Sequence, residues 1–404
     1  MKKSIISLIT FFIFLFNVTY ASSTIPVWSS TTKRTNDLAV KTVAENKNPL
    51  GLTCGGAVLI EQNSGNVLYD HNMHEKLRPA SVTKVMSILL IMEALDNGKI
   101  KLSDKIPCSE EAASMGGSQI WLNTTEELTV EEMLKAICIV SANDCVVAMA
   151  DYLEGSQDAF VKKMNLKAEQ LGMKDTTFKN CHGIDEDDHL TSAYDIALMS
   201  KELLTKHPEI KKYTTIYMDT LRNGQSQLVN TNKLVKNYNG CTGLKTGSTS
   251  IALYNLSASA TRDNLSLIAV VMKGNTSQER FNEAKKLLDY GFSNYQYVNI
   301  SNKDDFAGIC KIKNGVIPEI NVVYKDNYGV VMPKSKDSQT ENKIEIYESA
   351  NAPISKGDKL GTANFYYDKK LIGSIDLVAS ESVDKYTFSK ITKKIYSEWF
   401  KLLR

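Results

Sequence analysis

The chain has 404 residues, 43% hydrophobic and 23% charged, with a formal net charge of +2. At about 150 residues per domain this leaves room for two or three domains and a sizeable core, and it excludes a disordered or low-complexity protein. Near-neutral charge without a basic stripe in the main body gives nucleic acid no footing.

Residues 1–21 read as a secretion signal. Lys2 and Lys3 open it, residues 5–18 are apolar apart from Ser7, Thr10 and Asn17, and Thr19-Tyr20-Ala21 offers a cleavage site. The alternative, an uncleaved membrane anchor, calls for a run nearer about 20 residues. Residues 22–46 are polar and read as a flexible lead. Strands are predicted at 57–61 and 67–70, joined by the turn Asn63-Ser64-Gly65. From Thr83, the residues Val85, Met86, Leu89, Leu90, Met92 and Leu95 recur at helical spacing until Gly98, so Ser81 lies where a helix begins.

Residues 107–210 read as mainly helical. Thr129 and Glu132 form a capping box for a helix that runs through Met133, Leu134 and Ile137 to a loop at Ser141. Further helices are predicted over 144–153, 158–171 and 193–204. Strands return at 253–258 and 265–272, separated by Thr261-Arg262-Asp263-Asn264, and a helix covers 278–290. This order predicts an α+β domain over 47–298, with a helical block inserted in an antiparallel sheet.

Residues 299–381 change texture. Short β-rich runs alternate with turns such as Lys313-Asn314-Gly315 and Ser355-Lys356-Gly357-Asp358, which predicts a small all-β domain. In residues 382–404, Phe388, Ile391, Ile395, Trp399 and Leu402 form one helical stripe, and six cations stand against two anions. Such a basic amphipathic helix reads as lying in a membrane surface. The alternative is that the same stripe docks on the β domain. Seven cysteines, odd in number and irregular in spacing, imply neither a disulfide framework nor a zinc site. Free thiols in an exported chain suit a weakly oxidising habitat.

Three motifs carry chemistry. Ser-x-x-Lys occurs three times, at 30–33, 81–84 and 382–385, but only Ser81-Val82-Thr83-Lys84 follows a Pro-Ala turn and enters an apolar helix. One helical turn then sets the Lys84 amine beside the Ser81 hydroxyl. Lys84 serves as a base only where burial or a nearby cation keeps part of it neutral. Ser141-Ala142-Asn143 adds a hydroxyl to relay a proton and an amide to hold a substrate carbonyl. Lys245-Thr246-Gly247, followed by Ser248, supplies a second cation, a hydroxyl for a carboxylate and a glycine for close approach, on an edge strand facing the nucleophile. Each motif alone has a plain structural alternative: a capping serine with a surface lysine, a helix N-cap, and a turn before a strand. Together they suit acyl transfer through a serine ester, with backbone N–H groups, those of Ser81 and Ser248, around the oxyanion.

The ordered set resembles the serine-type D-Ala-D-Ala carboxypeptidases of the low-molecular-mass penicillin-binding proteins, peptidase family S11, and most of all those of spore-forming Gram-positive bacteria. The resemblance covers about residues 37–404. It includes Ser114-Met115-Gly116-Gly117-Ser118, Asn180 with Gly183, Thr191-Ser192-Ala193-Tyr194-Asp195 and Asn230-Thr231-Asn232. It implies a penicillin-recognising domain, a β-rich C-terminal domain and an amphipathic tail. It also implies removal of the terminal D-alanine from peptidoglycan stem peptides at the outer face of the cytoplasmic membrane or the cell wall, inhibition by β-lactams, and no metal or organic cofactor. Arg280 matches a family arginine near the substrate carboxylate. Two positions depart from the pattern: Ser248 stands where an aromatic residue or histidine is usual, and Leu253 where glycine is usual. Both bear on substrate packing and turnover rate. The rival readings are a DD-endopeptidase, a β-lactamase, which usually adds a glutamate loop not found after Ser141, and a wall-binding module with a decayed site.

Overall fold

The computed structural model describes residues 48–334, 340–367 and 369–388, together with residues 392, 395, 396, 399 and 401. The predicted secretion signal and polar lead lie outside the described residues, as does most of the predicted tail helix.

The run Gly-Ala-Val-Leu-Ile-Glu lacks alternation, which suits a strand covered on both faces. It forms β1 (Gly56–Glu61), buried throughout, and pairs with β2 (Val67–His71). The same antiparallel sheet is completed by β3 (Cys241–Thr249), β4 (Leu253–Arg262) and β5 (Leu265–Gly274), in the order β2-β1-β5-β4-β3. Asp263 and Asn264 both take positive φ, the signature of a two-residue hairpin turn, so β4 runs on through Thr261 and Arg262, which the sequence pattern assigns to a turn.

The helical block between β2 and β3 contains α1 (Lys84–Asp96), α2 (Val130–Ile139), α3 (Asn143–Glu154), α4 (Gln157–Leu171) and α5 (Ala193–Lys206). Helix α1 is apolar nearly all round and is accordingly the central, buried helix. The capping box forms as predicted: Glu132 N–H donates to Thr129 Oγ1 at 3.2 Å, and Thr129 N–H donates to the Glu132 carboxylate at 2.8 Å. The block also holds two short hairpins that the mainly helical reading did not contain, Lys105–Pro107 with Glu127–Thr129 and Met218–Leu221 with Ser226–Val229.

Strand alternation divides the core. Val58, Ile60, Ile268, Val270 and Met272 face the helical block, whereas Ala57, Leu59, Leu267, Ala269 and Val271 face α6 (Ser277–Asn294). With both faces filled, the functional chemistry is left to the sheet edge, and β3 is that edge.

Helix α6 leads directly into the β-rich part, whose first strand is β6 (Tyr295–Ser301). It pairs with Tyr328–Pro333, and a six-stranded sheet follows with a core that includes Cys310, Val322, Leu360, Phe365 and Leu377. Tyr328 stacks on Phe365 with ring centroids 4.4 Å apart. Val383 is buried in this core, exchanges backbone hydrogen bonds with Ile354, and is followed by Tyr386 N–H bonding the Asn314 carbonyl. The β domain therefore holds the chain as far as residue 386. Beyond it, the described apolar residues Phe388, Ile395, Tyr396 and Trp399 are all exposed. No helix among the described residues is long and apolar enough to cross a membrane.

Candidate active site

The chain reaches the nucleophile through a bend. Ala80 takes φ 48° and opens a single 3-10 turn, Ala80–Thr83, so Ser81 lies one turn ahead of α1 and Lys84 is its first residue. A left-handed alanine costs energy and persists only where its surroundings hold it. Two glycines provide that hold. A Cβ on Gly183 would stand 1.9 Å from the Ala80 carbonyl oxygen, and one on Gly247 would stand 2.8 Å from the backbone nitrogens of Ser81 and Val82. The turn is thus clamped between β3 and the 180–183 segment. Thr83 adds a third tie: the Lys179 N–H donates to His189 Nδ1, which leaves the proton on Nε2, 2.8 Å from Thr83 Oγ1.

Lys84 is fully buried. Its Nζ has three oxygen partners: Ser81 Oγ at 3.0 Å, Asn143 Oδ1 at 2.5 Å and the His182 carbonyl at 2.6 Å. Two of these are carbonyl oxygens, which only accept. A neutral amine has two N–H bonds and one lone pair. Its hydrogens go to Asn143 and His182, and the lone pair is left facing the hydroxyl of Ser81. Burial, with the charge of Lys245 beside it, holds the Lys84 ammonium well below the usual lysine range. Neither member of this pair follows the plain alternative: Ser81 does not cap the helix, and the lysine is not on the surface.

Lys245 is also buried, on β3, with Nζ donating to the Thr246 carbonyl at 2.9 Å. Burial, aided by Arg280, lowers its pKa from 10.5 to about 7. Thr246 Oγ1 donates to Thr231 Oγ1 at 2.7 Å.

Ser141 follows α2 with φ 66°, a conformation that normally selects Gly or Asn at a helix end. Its hydroxyl is buried without a hydrogen-bond partner. It does not cap α3 either, since the N-cap is Ala142, with no side-chain bond. A residue that pays in conformation and in an unmatched hydroxyl, with no structural return, is a candidate for chemistry. Asn143 anchors the facing loop. Its N–H donates to the Ser118 carbonyl at 2.7 Å and its Nδ2 to the Gly116 carbonyl at 2.7 Å, leaving one amide hydrogen. The adjacent Asp144 accepts from the N–H groups of Ile120, Leu122 and Cys145, so this carboxylate is spent on the fold.

Ser248 is exposed at the end of β3. Arg280 lies behind the strand rather than in the groove. Its guanidinium donates to the carbonyls of Gly247 at 3.1 Å and Asn255 at 3.3 Å, and Nε is buried without a partner. Leu253 takes φ 55°, which explains why glycine is the usual residue there. The sequence motifs thus bring Ser81, Lys84, Ser141, Asn143, Lys245, Thr246 and Gly247 to the junction of the edge strand and helical block. They did not reveal the His182 carbonyl, because any residue can supply a backbone oxygen.

Comparisons with known proteins identify the family. The family model described as D-alanyl-D-alanine carboxypeptidase, peptidase S11, matches residues 41–276, and that of the penicillin-binding protein 5 C-terminal domain matches residues 295–385. The chain is 45% identical over 349 residues to D-alanyl-D-alanine carboxypeptidase DacF of Bacillus subtilis, a spore-forming Gram-positive, covering 85% of this chain and 90% of that protein. Penicillin-binding protein 5 from Haemophilus influenzae superposes with a TM-score of 0.69 at 30% identity, over 83% of this chain and 98% of that one. Penicillin-binding protein D2 from Listeria monocytogenes, solved in its ampicillin-bound form, matches with a TM-score of 0.56 at 30% identity, over 60% of this chain and 99% of that one. The chain belongs to the peptidase S11 family of D-alanyl-D-alanine carboxypeptidases, within the penicillin-binding proteins.

Proposed function

We propose that this chain removes the terminal D-alanine from peptidoglycan stem pentapeptides through an acyl-enzyme on Ser81. The observation that carries the reading is the set of three oxygens around Lys84, which turns the amine's lone pair toward the nucleophile.

Lys84 takes the Ser81 proton as Oγ attacks the carbonyl of the penultimate D-alanine. Charge developing on the substrate's carbonyl oxygen meets the N–H groups of Ser81 and Ser248, donors that typically contribute about 2.7–4 kcal/mol each to the transition state. Ser141 passes the proton from Lys84 to the nitrogen of the departing D-alanine. Water then hydrolyses the ester, with Lys84 again the base. The free amide hydrogen of Asn143 binds a substrate backbone carbonyl. Lys245 and Thr246 read the terminal carboxylate, and Arg280 adds positive charge from behind the strand while fixing Gly247. No step needs a metal or organic cofactor. β-Lactams present a strained amide and a carboxylate to the same groups and acylate Ser81. The β-lactamase alternative is disfavoured by the lack of a Glu-x-x-x-Asn element after Ser141 and by the β-rich C-terminal part; Asp144, next to the catalytic loop, is held by three backbone N–H groups.

The enzyme is also proposed to act outside the cell, and the reading of the leader and the tail supports this. Residues 1–21 direct export, and the basic stretch after residue 386, with exposed Phe388, Ile395, Tyr396 and Trp399, rests on the outer face of the cytoplasmic membrane.

Purified chain incubated with a stem pentapeptide is expected to release D-alanine, and Ser81→Ala is expected to release none. Penicillin is expected to add its mass at Ser81 and to leave slowly. Folded protein that stays unmodified would support a wall-binding module instead. Truncation after Thr387, which spares the buried Val383, is expected to free the enzyme from membranes with activity intact; a truncated chain that remains bound refutes the tail's role.

A further inference from the structure

Trp121 is 77% exposed, although it lies between Ile120 and Leu122, both buried. It also takes φ 56°, a backbone conformation that bulky residues rarely adopt. The strain is held from both sides. The N–H groups of Ile120 and Leu122 each donate to the same buried Asp144 oxygen at 3.0 Å. The Arg222 guanidinium donates to the carbonyls of Ile120 at 2.9 Å and Trp121 at 3.5 Å, while the Glu126 carboxylate fixes that guanidinium in turn. The backbone is locked and the indole is presented to solvent. Folding gains nothing from this arrangement, since neither the exposed ring nor the left-handed backbone stabilises the chain.

The locked segment is tied to the catalytic loop. Asp144 adjoins Asn143, whose N–H bonds the Ser118 carbonyl. Two residues of chain separate Ser118 from Trp121, a span of at most about 11 Å. In the proposed substrate the scissile carbonyl belongs to the fourth stem residue, so three residues lie between it and the sugar end, and the four together extend about 14 Å. A flat, rigid aromatic face on a segment tied to the catalytic loop suits the C–H face of a pyranose, whose weakly positive hydrogens meet the ring's negative quadrupole.

We propose that Trp121 is a stacking platform for an N-acetylated sugar of the glycan strand that carries the stem peptide. The inference rests on the proposed activity toward peptidoglycan. It makes the disaccharide-linked pentapeptide a better substrate than the free pentapeptide.

The test uses the full chain and two ligands. Saturation-transfer NMR with the N-acetylglucosamine–N-acetylmuramic acid disaccharide, which lacks a stem, is expected to show contact in the native chain, loss in Trp121→Ala and retention in Trp121→Phe. In kinetics, Trp121→Ala is expected to lower the ratio of kcat/KM for disaccharide-pentapeptide over free pentapeptide by about three- to tenfold. Disaccharide contact that persists in Trp121→Ala, or an unchanged ratio, overturns the platform even where D-alanine is released. Disaccharide contact that requires Trp121 in a chain that releases no D-alanine supports the platform and overturns the carboxypeptidase reading instead.

Discussion

Lys245 is costly to the fold, and the cost is measurable without any substrate. Its pKa of about 7, against an ordinary value of 10.5, corresponds to about 5 kcal/mol of penalty when the amine is buried charged, at about 1.4 kcal/mol per tenfold. The pH window follows from linkage. Above 10.5 the amine is neutral in both folded and unfolded chain, and no penalty exists. As pH falls toward 7 the unfolded chain binds the proton first, so stability is lost, and below 7 the loss is complete. The same arithmetic leaves about 2 kcal/mol at pH 9. Lys245→Met removes the titration and keeps most of the volume. Urea denaturation is therefore expected to show the variant at least about 2 kcal/mol more stable at pH 6, with the advantage at pH 9 less than half as large. An advantage that does not change with pH, or a variant less stable at pH 6, would refute the argument that the site stores a desolvated cation. A kinetic corollary concerns Lys84. Without its neighbouring charge the Lys84 pKa rises, so the acid limb of penicillin acylation is expected to move to higher pH.

Three further predictions concern the clamp and its neighbours. Gly183→Ala forces a Cβ into the Ala80 carbonyl at φ 93°, and is expected to lose about 3 kcal/mol or more of stability and most penicillin acylation, read by denaturation and mass spectrometry. Ser141→Gly relieves a left-handed serine and removes an unmatched hydroxyl; thermal unfolding is expected to show about 1–2 kcal/mol gained while D-alanine release falls about a hundredfold. His189 is held down to about 4 from 6.5 by burial, so its contribution is intact above pH 6.5 and is lost as pH falls to 4. His189→Gln is expected to flatten the stability curve over that window, as followed by urea titration at pH 4, 5 and 6.5.

The parts of the fold legible in the sequence are those whose causes are local. The run at 57–61, the apolar period after Thr83 and the Thr129–Glu132 box each contain their own explanation, and the elements appear where they were predicted. The short hairpins at 105–107 and 218–221 have strands of three and four residues, too brief to show a period. In the site, residue types revealed the side chains but not the backbone: the His182 carbonyl that completes the Lys84 environment lies 98 residues away. Arg280 was legible as a cation but not as one that grips β3 from behind, because its direction depends on how α6 packs. The tail stripe hid a boundary as well, since Val383 looks like part of the amphipathic run and is in fact core of the β domain.

The seven cysteines are all free thiols, six of them buried and Cys241 half-covered. Burial pushes the thiols of Cys138 and Cys181 up to about 12, and that of Cys241 to about 11. Thiolate is the form that oxidants and electrophiles attack. This chain can therefore mature with no oxidative folding machinery and work in aerated or reducing surroundings alike. For the experimenter, a single cysteine engineered onto the surface would react with a maleimide dye ahead of the six buried thiols, and Cys241→Ser would remove the one half-covered competitor.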